Sequence, residues 1–130
     1  MRVELRRVEY MPAVLEPGVL YVAEAFGAAA HLCACGCGSK VRTPLGPTEW
    51  SLSDGPSGLS LDPSIGNWQR PCRSHYWILD GEVVWSEPWT EEQVRVGRAR
   101  EEARREAFFA SRTGRLRRIW PRIARMVSGK

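Results

Sequence analysis

The four cysteines are the feature that most constrains how this chain folds. Three of them lie within five residues, in the segment CACGC (residues 33–37), and the fourth lies far along the chain. Thiols at this density call for a metal or an oxidant, and a structural zinc takes four sulfur or nitrogen ligands in a closed tetrahedron. The spacing therefore predicts a structural zinc that fastens an early turn to a distant strand. Its ligands would be Cys33, Cys35, Cys37 and Cys72.

Two alternatives to a structural metal held by four cysteines are a different ligand set and a catalytic metal. His31 lies two residues before Cys33 and could replace one thiolate as a ligand. A catalytic metal would instead need an open coordination position and, usually, a carboxylate base. The sequence has no His-x-Glu and no His-Glu-x-x-His pattern, so the signatures of zinc hydrolases and zinc deaminases are missing. A structural metal is the favoured interpretation.

Length and composition bound the architecture. The 130 residues suffice for one domain with a modest core, and 43% hydrophobic residues with six tryptophans argue for a folded globule. Nine prolines and twelve glycines imply many turns, which suit a β-rich body. The apolar runs are too interrupted for a membrane span, and no secretory signal follows Met1. We therefore expect a cytoplasmic protein, in which thiols stay reduced.

Alternation of apolar and polar residues predicts a series of short strands. They fall at about residues 3–10, 19–22, 41–43, 50–53, 59–61, 72–79 and 82–85. The last two flank Asp80-Gly81, a strong hairpin signal, and a two-residue loop there pairs Leu79 with Glu82. In a strand, Cys72 and His75 would then point to opposite faces. This alternation predicts a metal on one face and a reactive group on the other.

The C-terminal part of the chain predicts helices. The capping box TEEQ (residues 90–93) begins a helix that runs to about Ser111, and Gly114 is expected to end it. A second, basic and amphipathic segment covers residues 116–126, interrupted by Pro121. The predicted fold class is α+β. Residues 1–89 form a small zinc-stabilised, β-rich domain of antiparallel strands and hairpins, and residues 90–130 form a helical basic extension.

Ser64 and His75 are the candidates for nucleophilic chemistry. Ser64 lies in PSIGN (residues 63–67), a turn-rich segment that could present a hydroxyl beside backbone amides. A serine is inert until a base takes its proton, and His75 could be that base. From the residues alone the simpler interpretation is stronger, because Pro-Ser is usually a turn former and a histidine beside tryptophans is usually a packing residue. No local spacing rule marks such a pair.

A wider set of motifs resembles a known family. The set comprises LYV (20–22), HLCACGCG (31–38), LDPSIGN (61–67) and CRSHYWILDGEVVW (72–85), within about residues 15–87. It resembles small bacterial proteins from operons for ubiquitin-like conjugation of the Bub type, encoded beside a ubiquitin-like protein and activating- and conjugating-enzyme-like partners. Ala34 departs from the proline that the family often has there. The helical tail after about Thr90 lies outside the resemblance.

The resemblance implies a zinc-stabilised, serine-type peptidase that acts on the C-terminal tail of the ubiquitin-like protein. Such an enzyme would trim a precursor or release the modifier from a target. It implies Ser64 as the nucleophile, His75 as the base and the four cysteines as metal ligands. The expected oxyanion or substrate contacts are Gly66, Asn67 and Ser74. The options for a third residue that orients His75 are Ser74, Ser86 and Asp80.

Three tryptophans could wall a narrow entrance for a Gly-Gly tail. They are Trp68, Trp77 and Trp85, and core packing is the alternative explanation for them.

The positive charge is concentrated at the C-terminal end. Residues 112–130 hold seven basic and no acidic residues, whereas residues 1–111 hold 12 basic against 15 acidic ones. A solvated end or a docking helix for an acidic partner is favoured over binding to nucleic acid or a membrane surface. The rival function is a non-enzymatic zinc-binding adaptor for a partner in a ubiquitin-like pathway. A nucleic-acid-binding zinc ribbon is the weaker third possibility.

Overall fold

A computed structural model describes the backbone of residues 1–128 and the side chains of residues 1–111. The chain divides into two compact units, Met1–Thr90 and Glu91–Lys130. The strands of the described chain lie in the first unit, and the second contains one helix, α1 (Glu91–Ser128).

The first sheet has four strands in the order β1-β2-β3-β4. They are β1 (Glu4–Arg7), β2 (Val19–Ala23), β3 (Ala28–Leu32) and β4 (Lys40–Arg42), with a short 3₁₀ turn at Glu24–Phe26. β1 and β2 are parallel, and the other two pairs are antiparallel. The prediction of antiparallel strands is therefore correct except at β1–β2. There, residues 8–18 cross back along the sheet instead of forming a hairpin.

This crossover explains why β2 is buried at all five positions. A small apolar cluster joins Leu15 of the crossover to side chains of β2 and β3, with Val8 and Met11 packed against it. The opposite side of β2 contributes Leu20 and Val22 to the main core. A strand covered on both faces reads as a continuous apolar run, as VLYVA does.

The second sheet is an antiparallel meander in the order β5-β6-β7-β8. Its strands are β5 (Ser51–Gly55), β6 (Gly58–Gly66), β7 (His75–Leu79) and β8 (Glu82–Trp85). The predicted hairpin is confirmed, with Leu79 opposite Glu82. Asp80 and Gly81 have φ of 50° and 75°, as a two-residue turn with positive φ at both central positions requires.

The predicted turn over residues 63–67 is wrong, because β6 continues through Gly66. The pairing of β6 with β7 shifts in this region. Leu61 lies opposite Ile78 and Ile65 opposite Tyr76, so β6 advances four residues while β7 advances two. Such a bulge absorbs extra residues and redirects side chains, which lets a strand accommodate the Pro and Gly that suggested a turn.

The main core lies between the two sheets. It combines side chains of the first sheet with those of β6 and β7, among which Leu20, Leu59, Leu61, Ile65, Tyr76 and Ile78 are almost completely buried. The N-terminal residues tie the sheets together. The amide of Val3 donates to the carbonyl of Gly81, and the amide of Val83 donates to the carbonyl of Met1.

The second unit differs from its prediction in length. α1 begins at Glu91, directly after the predicted capping residue Thr90, but it does not end at Gly114. A glycine inside a helix costs only about 1 kcal/mol relative to alanine, too little to stop a helix by itself. The two predicted helices are therefore one. The expected basic, amphipathic face of residues 116–126 lies outside the described side chains. Within the described chain, no helix has the length and apolar character needed to cross a membrane.

Candidate active site and metal centre

The four cysteines converge as the sequence predicts. Cys33 follows β3, Cys35 and Cys37 lie in the turn before β4, and Cys72 lies just before β7. Their sulfur atoms all lie within 4.8 Å of one another, with Cys33 Sγ 3.4 Å from Cys35 Sγ and 3.9 Å from Cys72 Sγ. Zn–S bonds of about 2.3 Å in a tetrahedron place the sulfurs about 3.8 Å apart. The cluster therefore fits one tetrahedral metal ion.

Hydroxyl groups beside the cluster favour the thiolate forms that bind a metal. Hydrogen bonds from Ser39 lower the pKa of Cys37 to about 6. Ser74 lowers the pKa of Cys72 in the same way, through its side chain and then its backbone. The pKa of Cys35 is raised instead, first of all by desolvation. Thiolates close to one another need a cation to balance their charge, so the convergence of the four sulfurs is what supports a metal centre.

Asn67 and Ser74 belong to this cluster. The Asn67 amide Nδ2 donates to Ser74 Oγ at 2.9 Å and lies 3.6 Å from Cys33 Sγ. Ser74 Oγ lies 3.0 Å from Cys33 Sγ and 3.5 Å from Cys72 Sγ. Because Ser74 accepts from Asn67, its own hydrogen is free to face the sulfurs. The sequence had suggested both as oxyanion or substrate contacts, but these bonds direct their side chains to the cysteines.

His31 lies beside the cluster without belonging to it. Its Nε2 is hydrogen-bonded to the hydroxyl of Tyr76 at 2.7 Å, and burial lowers its pKa to about 4, so the ring is neutral. Among the described residues, the group of possible metal ligands consists of the four cysteines alone. The alternative with His31 as a ligand is therefore not the one that this geometry supports.

Ser64 and His75 meet on the other face of the second sheet. In the β6–β7 ladder, Gly66 lies opposite His75. Ser64 comes two residues before Gly66 and so shares its face. The bulge brings Ser64 Oγ to 2.9 Å from His75 Nε2.

The second nitrogen of His75 is held by the backbone. His75 Nδ1 lies 3.0 Å from the carbonyl oxygen of Glu87, and the Ser86 amide donates to the carbonyl of His75 at 2.9 Å. A carbonyl can only accept, so Nδ1 must carry the hydrogen and Nε2 must offer its lone pair to the Ser64 hydroxyl. This tautomer is the one that a general base needs.

None of the three residues suggested for orienting His75 supplies this contact through its side chain. Ser74 lies among the cysteines, Ser86 contributes only its amide, and the Asp80 amide in the hairpin turn donates to Ser60 Oγ. The backbone carbonyl of Glu87 makes the contact with His75 Nδ1 instead. Sequence analysis could not find it, because every residue has a carbonyl and no side chain marks the one that is used.

Two tryptophans cover His75, which is only 5% exposed. Trp68 and Trp89 both approach its ring edge to face, with ring centroids 4.8 Å and 5.1 Å away. They also stack on each other at 5.4 Å. The sequence suggested Trp68 but missed Trp89, which has no strand pattern around it. Trp85 packs on Tyr76 instead, and Trp77 is half-buried on β7.

Gly66 makes this cover possible. An added Cβ at Gly66 would lie 2.6 Å from Trp68 Cε2 and even closer to its Nε1. Any larger residue here would push the indole away from His75. Because Gly66 has no side chain, the Trp68 indole can pack against this position and cover His75.

A serine hydroxyl bonded to a histidine whose other nitrogen is fixed by an acceptor is the arrangement that serine hydrolases use. A family model described as bacterial ubiquitination-like system serine protease (BubE) matches residues 7–86. The chain belongs to this family, which confirms the resemblance found in the sequence motifs. It is thus a member of a serine protease family of a bacterial ubiquitination-like system. No curated protein and no solved structure matches the chain.

Proposed function

We propose that this protein is a serine peptidase that cleaves the C-terminal tail of a ubiquitin-like protein, to process a precursor or to release the modifier from a conjugate. One observation carries the proposal. The Ser64 hydroxyl lies 2.9 Å from His75 Nε2, while the Glu87 carbonyl holds His75 Nδ1. The family description supplies the ubiquitination-like context. We also propose that the protein acts in the cytoplasm, where thiolates stay reduced.

The reaction would be acyl transfer. His75 Nε2 takes the Ser64 proton as Oγ attacks the carbonyl carbon of the modifier's terminal glycine. The tetrahedral intermediate collapses with loss of the amine or alcohol, which receives the proton from Nε2. Water then attacks the acyl-enzyme ester, with His75 again as base, and releases the carboxylate and the free Ser64 hydroxyl. The Glu87 carbonyl keeps Nδ1 protonated throughout, so the imidazolium is held in place.

The oxyanion of the intermediate needs N–H donors. The Asn67 side chain donates to Ser74 Oγ and faces Cys33 Sγ, so it is directed away from this role. Gly66 is exposed and lies two residues after Ser64 on β6, and its backbone amide is the donor that we propose.

Zinc is the metal that we propose for the cysteine cluster. Cys33, Cys35, Cys37 and Cys72 would hold it, and four thiolates leave no open coordination position for substrate. Its contribution would be structural: it would join the turn after β3 to the start of β7, the strand that carries His75.

The test is cleavage of the ubiquitin-like protein of the same conjugation system, extended at its C-terminus. Wild type, Ser64→Ala and His75→Ala would be compared at equal zinc content, with Ser53→Ala, an exposed position on β5, as the matched control. We expect cleavage by wild type and Ser53→Ala only. Cleavage by Ser64→Ala would overturn the serine mechanism. Tight binding without cleavage by any variant would favour the adaptor function.

A further inference from the structure

Strand β6 has an open edge beside Ser64. Its partner β5 pairs with β6 no further than Ser51 opposite Asp62. The preceding residue, Trp50, turns away: its amide donates to the Pro44 carbonyl at 3.0 Å, and its carbonyl accepts from the Gly46 amide at 3.2 Å. Residues 63–66 are therefore flanked by β7 on one side and, within the described chain, by no strand on the other.

The direction of the backbone groups along this edge follows from the ladder. The Asn67 amide donates to the Ser74 carbonyl at 2.9 Å, so these two residues form a hydrogen-bonded pair. Antiparallel pairs alternate, which makes Gly66 and His75 the pair without hydrogen bonds between them. The N–H and carbonyl of Gly66 consequently point away from β7.

Ser64 thus lies two residues before a backbone donor and acceptor, those of Gly66, that point away from β7. Exposed strand edges pair readily with an extended chain, and several peptide-binding domains recognise tails in this way. The added strand would lie about 4.8 Å from β6, close enough for a carbonyl of the tail to approach Ser64 and the Gly66 amide.

We propose that the open edge at residues 63–66 binds the C-terminal tail of the ubiquitin-like protein as an added β-strand. The inference rests on the proposed function, because it takes the tail as the substrate. Recognition would come from the main chain of the tail, and the scissile carbonyl would obtain its oxyanion donor from the same edge. Residues of the tail would then matter with a period of two, since alternate residues face β6.

The test uses Ser64→Ala, which retains the backbone of β6 but cannot form the acyl-enzyme. The probe is a synthetic peptide with the last eight residues of the ubiquitin-like protein and three residues beyond them, N-methylated at one position at a time. N-methylation of residues that face β6 should weaken binding by more than about tenfold, because it removes a donor and inserts a methyl group between strands. The intervening positions should change affinity by less than about twofold.

Amide hydrogen exchange gives an independent measurement on the protein. Saturating peptide should slow exchange at Gly66, while the Gly55 amide on β5 serves as the internal control. Binding with uniform sensitivity to N-methylation, or without protection of Gly66, would overturn strand addition. So would protection of Gly66 in the free protein by self-association, which would assign the edge to a second copy.

The two proposals fail in different ways. Cleavage by wild type without a two-residue period in peptide binding would leave the peptidase proposal standing and reject the docking mode. A two-residue period in binding to Ser64→Ala, with no cleavage by wild type, would establish the docking mode and reject the peptidase. No binding of the unmodified peptide would reject strand addition.

Discussion

Ser74 and His75 are adjacent in the chain but serve two different sites on opposite faces of the second sheet. Ser74 faces the cysteines, and its hydroxyl contacts Cys33 and Cys72. His75 faces Ser64, under two tryptophans. The cysteine side is a closed set of ligands from two distant segments, whereas the histidine side adjoins an open strand edge. The difference follows from strand alternation, which places neighbouring side chains of one segment on opposite faces, so a single strand contributes to both clusters.

Removal of the metal should have the largest effect. Chelation, or Cys72→Ser, should unfold the Met1–Thr90 unit, because structural zinc sites contribute about 10 kcal/mol or more to the folded state. Far-UV circular dichroism with and without chelator measures this, and Ser53→Ala is the control. A stripped protein that kept its fold and lost only activity would show that the metal is not structural.

Ser64→Ala should abolish activity at the histidine side and leave the cysteine side intact. We expect kcat to fall by about 10³-fold or more, because the nucleophile is lost, while zinc content and thermal midpoint stay close to those of wild type. Asp80→Asn, at a position suggested for orienting His75, should retain activity since Glu87 makes that contact. Equal losses in both variants would contradict the assignment of the Glu87 carbonyl.

Gly66→Ala should damage the cover of His75. The new Cβ would collide with the Trp68 ring, and we expect a destabilisation of about 1–3 kcal/mol together with reduced activity. Adding Trp68→Ala removes the collision, so the destabilisation by the pair should be smaller than the sum of the two single effects. Additive effects in denaturant unfolding would show that Gly66 does not act through Trp68.

Asn67→Ala gives the smallest and most discriminating effect. Loss of its hydrogen bonds to Ser74 and Cys33 should lower zinc affinity by about 10–100-fold, with little change in kcat at saturating zinc. Competition with a chromogenic chelator measures the affinity. If Asn67 were an oxyanion donor, kcat would instead fall by about 10²–10³-fold at any zinc concentration.

Much of the cysteine side could be predicted, because metal binding by thiolates depends on residue type and on the spacing of the cysteines. Three cysteines in five residues and Asp80-Gly81 before Glu82 are local signals, and both predictions agree with the structure. The histidine side was harder to predict. Pro63 and Gly66 suggested a turn, but pairing with β7 made a bulged strand that brings Ser64 to His75.

The sequence by itself determined the cysteine cluster, the hairpin and the alternation that separates Ser74 from His75, since these depend on residue type and on neighbours along the chain. Tertiary structure alone decided the bulge at Ser64, the Glu87 carbonyl on His75, the cover by Trp89 and the open edge of β6. Each of these depends on which strands pair and where the pairing stops. No residue type marks the backbone groups that are used, so only the folded chain shows which of them point to an open edge and which hold the His75 ring.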